Sequence, residues 1–131
     1  MKRKNAFTLV ELLAVIAILA ILIIIALPNI LRMFNNAKKN SFVTEARSIF
    51  KTAEQNYISS NGENYCYSDD YEECPALDMS GRNNIHYIVS FDENGNIVEF
   101  GAADDNFYLY IPYGNVISIE DVTVEILQEG L

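Results

Sequence analysis

Ala6-Phe7-Thr8-Leu9-Val10-Glu11-Leu12-Leu13-Ala14-Val15-Ile16 places one carboxylate, Glu11, at the head of an apolar run that continues unbroken from Leu12 to Leu27. An ionised carboxylate in hydrocarbon costs several kcal/mol, so a charge in such a run implies a partner and a task. From Phe7 to Pro28 the chain has 22 residues, interrupted only by Thr8 and Glu11. As a helix, that length spans roughly 33 Å, one crossing of a bilayer. Glu11 stands one helical turn beyond Phe7, just after the basic leader Met1-Lys2-Arg3-Lys4-Asn5. A small neutral residue before Phe7 and an acid after it suit a cut that frees a new amine beside a carboxylate.

An ordinary secretory signal is a poorer description. The leader is basic, but the apolar stretch is too long and no small-x-small cleavage site closes it. Beyond Pro28, Asn29-Ile30-Leu31-Arg32-Met33-Phe34 continues a helix rather than offering a peptidase site. The run reads as a retained membrane anchor.

Phe7-Thr8-Leu9-Val10-Glu11-Leu12, with basic residues just upstream, resembles the cleavage and methylation signature of type IV pilins and of the pseudopilins of type II secretion and DNA-uptake machines. The resemblance is specific over residues 2–34. It implies that residues 1–6 are a leader, cut between Ala6 and Phe7 by a membrane-embedded prepilin peptidase, and that the new amine of Phe7 is methylated. Ala6 stands where the family usually has glycine. Implied partners are further copies of the chain in a helical homopolymer, an inner-membrane assembly platform with its ATPase, minor pilins, and lipid before assembly. The implied localisation is a single pass through the cytoplasmic membrane, N-terminus inside, and then a filament on the cell surface.

The residues supply a physical account of the same segment. After cleavage, Phe7 carries a positive amine at a helix end, where the dipole and unpaired amides also attract carboxylates. In a bundle of such helices, Glu11 of one subunit neutralises the Phe7 amine of the next, and apolar surroundings make that pairing far stronger than at a surface. Phe7 and Glu11 are therefore the assembly residues, setting the axial stagger. The alternative is a glutamate reaching back to the cytoplasmic headgroups from a plain anchor.

Lys2, Arg3 and Lys4 favour an N-terminus inside, although Arg32, Lys38 and Lys39 past the other end weaken the bias. Residues 52–131 hold one basic residue, Arg82, against sixteen acidic ones, a net charge of −15. Such a surface is well solvated and repels phosphate backbones, which disfavours direct binding of nucleic acid. The only cysteines, Cys66 and Cys74, lie in a loop-like stretch and are expected to oxidise in an exported domain. Closing nine residues, their bridge adds about 2.6 kcal/mol in the chain-entropy model. A reduced pair is the alternative, and a zinc site there lacks further ligands.

The fold expected is α+β, pilin-like: a long N-terminal helix, membrane-spanning in its first half, packed on a small antiparallel sheet. Residues 7–34 form the transmembrane and filament-core helix, and 35–131 an exterior domain. Within it, an amphipathic helix occupies 35–60, with Phe42, Val43, Ala46, Ile49, Phe50, Ala53 and Tyr57 at three- and four-residue steps. Gly62 is expected to cap it, and Pro28 to kink the helix by removing a backbone donor. A loop covers 61–84 and the sheet 85–127. Strands are expected at Ile85–Phe91, Asn96–Phe100, Asn106–Ile111, Val116–Ile119 and Val122–Leu127, with Asn94-Gly95 marking a hairpin turn.

Nothing in the chain assembles a catalytic constellation. There is one histidine, His86, in an expected strand, and no phosphate-binding glycine loop. No metal site is assigned, and no cofactor is expected. Asp92, Asn94 and Asn96 have a faint calcium-loop look, with Asp104 and Asp105 as candidate supplements, but turn chemistry describes them better. The eight tyrosines read as sheet and loop packing, with an adhesive surface as the sharper alternative. The reading is a filament subunit, not an enzyme: a type IV pilin serving adhesion, motility or DNA uptake, or else a pseudopilin of type II secretion. A membrane-anchored binding domain that forms no filament is the rival.

Overall fold

The computed structural model describes residues 8–79 and 84–130. A single α-helix, α1, runs Leu9–Ser59, and the chain divides after Ala37 into two units.

In the first unit, Thr8 caps the helix. Its hydroxyl accepts the Glu11 N–H at 3.1 Å and its carbonyl accepts the Leu12 N–H at 3.2 Å. Threonine at this position satisfies donors that the first turn leaves unpaired. Thr8-x-x-Glu11 is also the capping-box spacing. Pro28 lies inside α1, which continues past it without a break in assignment. Every described residue from Thr8 to Lys38 is exposed; the large apolar side chains from Leu9 to Phe34 range from 43% exposed at Ile30 to 74% at Val10. The helix is apolar all round here and has no apolar partner within the described residues.

In the second unit, the same helix changes character. Phe42, Val43, Ala46, Ile49, Phe50 and Ala53 are buried, the one-sided stripe expected of an amphipathic helix on a core. The helix ends in a Schellman motif: the Gly62 N–H reaches the Tyr57 carbonyl and the Asn61 N–H reaches that of Ile58. Asn61 (φ 57°) occupies the left-handed position after the helix, with Gly62 (φ 77°) following it. The residue that reverses the chain is thus Asn61 rather than the expected Gly62. Glycine is still needed next, because a Cβ there would sit 3.1 Å from the Tyr57 hydroxyl.

The sheet is an antiparallel meander in the order β1-β2-β3-β4-β5: Cys66–Ser68, His86–Phe91, Ile97–Ala103, Phe107–Ile111 and Gln128–Glu129. Ring contacts trace how α1 crosses it. Phe42 meets Phe107 of β4 at 5.9 Å, Phe50 meets Phe100 of β3 at 5.4 Å, and Tyr57 stacks on Phe91 of β2 at 4.4 Å. The β2–β3 turn is closed by Asp92, whose carboxylate accepts the Asn94 and Asn96 N–H groups, both at 2.9 Å. Gly95 (φ 87°) completes that turn, and a Cβ there would come within 2.9 Å of the Tyr57 ring. The hairpin tip therefore rests on the last turns of the helix.

Two expectations are corrected. Residues 61–84 are not only a connection, because Cys66–Ser68 pairs with β2 in the register Cys66↔Ser90, Ser68↔Ile88. The strands expected at Val116–Ile119 and Val122–Leu127 are 3₁₀ turns, Ile119–Asp121 and Val124–Ile126, and only Gln128–Glu129 beyond them joins the sheet. The cause is local: the Asp121 carboxylate accepts the Ser118 N–H at 2.9 Å while the Asp121 N–H reaches the Ser118 carbonyl, closing a turn where an extended chain was expected. Ile117 and Val122 still enter the core, Val122 fully buried with its carbonyl accepting Arg47 Nε at 2.8 Å, while Val116 and Val124 are exposed.

This packing separates two substitutions. Phe50→Ala empties the centre of the helix–sheet contact and should cost about 3–5 kcal/mol. Tyr67 is 3% exposed and its hydroxyl has no partner among the described residues, so Tyr67→Phe should leave stability unchanged or raise it by about 1 kcal/mol. Urea unfolding of the full chain in detergent micelles, followed by tyrosine fluorescence and circular dichroism, measures both.

Candidate functional site

Two regions concentrate unusual chemistry. The first is the start of α1. Glu11 lies in its first turn, bordered by Leu12, Ala14 and Val15, on a surface otherwise free of charge as far as Arg32. A carboxylate in a first turn is favoured by the helix dipole. Thr8 already serves the Glu11 N–H, and the Glu11 side chain makes no ion pair among the described residues. Ala6 and Phe7, the expected cleavage and methylation positions, lie outside the described residues.

The second region is the sheet face turned away from α1. Cys66 of β1 is bonded to Cys74, with Sγ–Sγ 2.07 Å and Cα–Cα 5.2 Å. The Ser68 N–H reaches the Pro75 carbonyl at 3.2 Å, and the buried Ser68 hydroxyl accepts the Asp70 and Tyr71 N–H groups. The disulfide loop is thereby folded over the face that carries Ile88, Gly101 and Tyr110. Tyr110 lies against Gly101, its directly paired residue, where a Cβ would meet the ring at 2.9 Å. Its hydroxyl donates to Glu99, which also accepts from Ser90, and the Glu99 carboxylate pushes the Tyr110 phenol above its usual range. At the edge of this face, His86 Nδ1 lies 2.6 Å from Asp69 Oδ2, and that hydrogen bond raises the imidazole above its usual value. Asp69 Oδ1 accepts the Tyr87 N–H at 3.0 Å.

The carboxylates considered for calcium are engaged locally. Asp92 holds its own hairpin turn, and Asp104 accepts the Asn106 and Phe107 N–H groups at 2.8 Å each. The backbone hydrogen bonds to Asp92, that from Asn96 foremost, favour its ionised form and hold its carboxyl below the usual range.

Residues 1–27 match the family model described as the prokaryotic N-terminal methylation motif. The chain carries the type IV pilin and pseudopilin signature. No curated protein and no solved structure compared with the chain matches it. The pilin-like architecture, one long helix on a small antiparallel sheet, accompanies the motif. The motif is that of a structural type of protein rather than of an enzyme family, and it implies prepilin-peptidase processing and assembly with other pilins. The apolar helix is long enough, by length and composition, to cross a membrane, which fits membrane anchoring.

The long helix on a small sheet and the Cys66–Cys74 disulfide match the sequence-based expectation, whereas Thr8 as the helix cap was not part of it. The signal for Thr8 was present, since Thr8-x-x-Glu11 announces a helix start. Nor was the meeting of Asp69 and Asp70 with His86, which depends on the β1–β2 register. Breaking the bridge with Cys66→Ser/Cys74→Ser should lower stability by about 2.6 kcal/mol in the loop-entropy model. Urea midpoints with and without the double substitution measure it, and alkylation of the non-reduced wild-type chain should modify neither cysteine.

Proposed function

We propose that this chain is the subunit of a type IV pilus or pilus-like filament, and that its chemistry is assembly rather than turnover. The observation that carries the reading is the position of Glu11: one carboxylate in the first turn of a helix that is exposed and apolar on every side, within a matched methylation motif. The chain waits in the cytoplasmic membrane with its N-terminus inside and residues 35–131 outside, where Cys66 and Cys74 can oxidise. Prepilin peptidase removes residues 1–6, and the Phe7 amine is methylated. An assembly platform driven by its ATPase then draws the subunit into a helical array with further copies and with minor pilins. Residues 7–34 exchange lipid for neighbouring helices, and Glu11 of one subunit meets the Phe7 amine of another.

The physical logic is one of register. An apolar helix slides along its neighbours with little preference, because apolar contacts are non-directional. A charged pair in that setting is different: leaving one member unpaired costs about 3–5 kcal/mol, so a single stagger is favoured over all others. Pro28, without an N–H to give the Ile24 carbonyl, is where the helix is expected to bend or loosen during assembly. The filament's role is adhesion, motility or DNA uptake. A pseudopilin of type II secretion is the second reading, favoured by the same motif and using the same pairing.

Glu11→Ala tests the pairing. The variant should insert into membranes like the wild type, yet filament recovered by shearing should fall more than about tenfold, the effect of losing a few kcal/mol per subunit contact. Wild-type filament yield from Glu11→Ala would overturn the pairing account.

A further inference from the structure

The antiparallel register of β1 and β2 brings together three side chains that are far apart in sequence. Asp69 and Asp70 follow directly on β1, and His86 opens β2, so the pairing Ser68↔Ile88 sets the end of one strand beside the start of the other. His86 Nδ1, Asp69 Oδ2 and an oxygen of Asp70 all lie within 4.8 Å of one another, and all three side chains reach solvent. We propose that Asp69, Asp70 and His86 form a zinc site on the edge of the sheet.

The geometry sets the adjustment required. Zinc bonds nitrogen and carboxylate oxygen at about 2.0–2.1 Å in a tetrahedral shell, which places neighbouring donors roughly 3.3 Å apart. The His86–Asp69 separation of 2.6 Å must open and the His86–Asp70 separation of 3.8 Å must close, each by less than 1 Å, and the Asp69 and Asp70 oxygens, within 4.8 Å of one another, must reach the same spacing. Exposed side chains make that change by small rotations. The surroundings already hold two of the ligands. Asp69 Oδ1 is oriented by the Tyr87 N–H, the kind of support from behind that fixes a metal-binding carboxylate. Asp70 is positioned by its N–H bond to the buried Ser68 hydroxyl, inside the loop closed by Cys66–Cys74.

The donor set selects the metal. One imidazole nitrogen with two carboxylate oxygens suits a borderline ion, whereas calcium and magnesium prefer oxygen alone. Asp92 and Asp104, by contrast, are already engaged by their own turn amides. Three protein ligands leave the fourth zinc position to water. Bound zinc would replace the His86–Asp69 bond with a bridge between the disulfide loop and β2, tying down the wall of the groove that contains Tyr71, Tyr108 and Tyr110. This inference is independent of the filament reading.

Calorimetric titration of zinc chloride into the chelator-treated full chain in detergent micelles tests it, with no histidine tag because His86 is the sole histidine. One zinc should bind per chain, with an affinity weakened about tenfold or more by His86→Gln and also by Asp70→Asn. Asp104→Asn should bind as the wild type does. Metal-free melting and circular dichroism establish that each variant keeps its fold; Asp70, exposed and away from the core, leaves the test intact if His86→Gln does not. No saturable binding, or a smaller loss in a folded variant of either ligand, would overturn the site.

Discussion

A helix that is apolar on every side has to be surrounded by something other than water. From Leu9 to Phe34 the large apolar side chains of this protein are exposed, and removing such surface from water is favourable by about 25 cal/mol per Å². Nothing among the described residues of the first unit covers them. A bilayer meets that demand, and so does a bundle of like helices, and a subunit that passes from one to the other changes its surroundings without exposing the helix. Neither solvent distinguishes one axial position from another. The carboxylate of Glu11 does, because it is the one strong directional group on that surface before Arg32.

Along the same helix the constraint reverses. From Phe42 onward a single apolar stripe is buried and the remaining faces are mostly polar, so this half of α1 is satisfied by the chain's own sheet. The contact is held at its far end by Tyr57, which stacks on Phe91 and lies close to both Gly62 and Gly95. Helix termination and hairpin turn are thus fitted to one aromatic ring. A side chain at either glycine would meet it as well as force an unfavourable backbone conformation. The acidic surface of residues 52–131 keeps this unit solvated, while the basic residues gather before it.

What could be read from the sequence was what short-range chemistry fixes. The methylation motif, the amphipathic spacing from Phe42 to Tyr57, the Asn94-Gly95 turn and the Cys66–Cys74 bridge all rest on neighbouring residues or on a short loop. The misses share a different cause. Cys66-Tyr67-Ser68 is too short to show a period, and it becomes a strand only because β2 offers an edge. The apolar residues of the tail suggest two strands, but Ser118 and Asp121 close a turn by side-chain bonding that competes with a ladder. Asn61 reverses the helix because asparagine tolerates a positive φ, a role glycine was expected to take. The grouping of Asp69, Asp70 and His86 was beyond sequence reasoning once β1 had been missed, since the strand register alone creates it.

The filament account is tested most directly by the mass of the intact chain and of its N-terminal peptide, taken from membranes and from filaments sheared off native cells. It predicts a chain that begins at Phe7, is heavier by one methyl group and is present in the sheared fraction. A chain that still begins at Met1 or Lys2 in every fraction would contradict it, and would leave a membrane-anchored domain in place of a filament subunit.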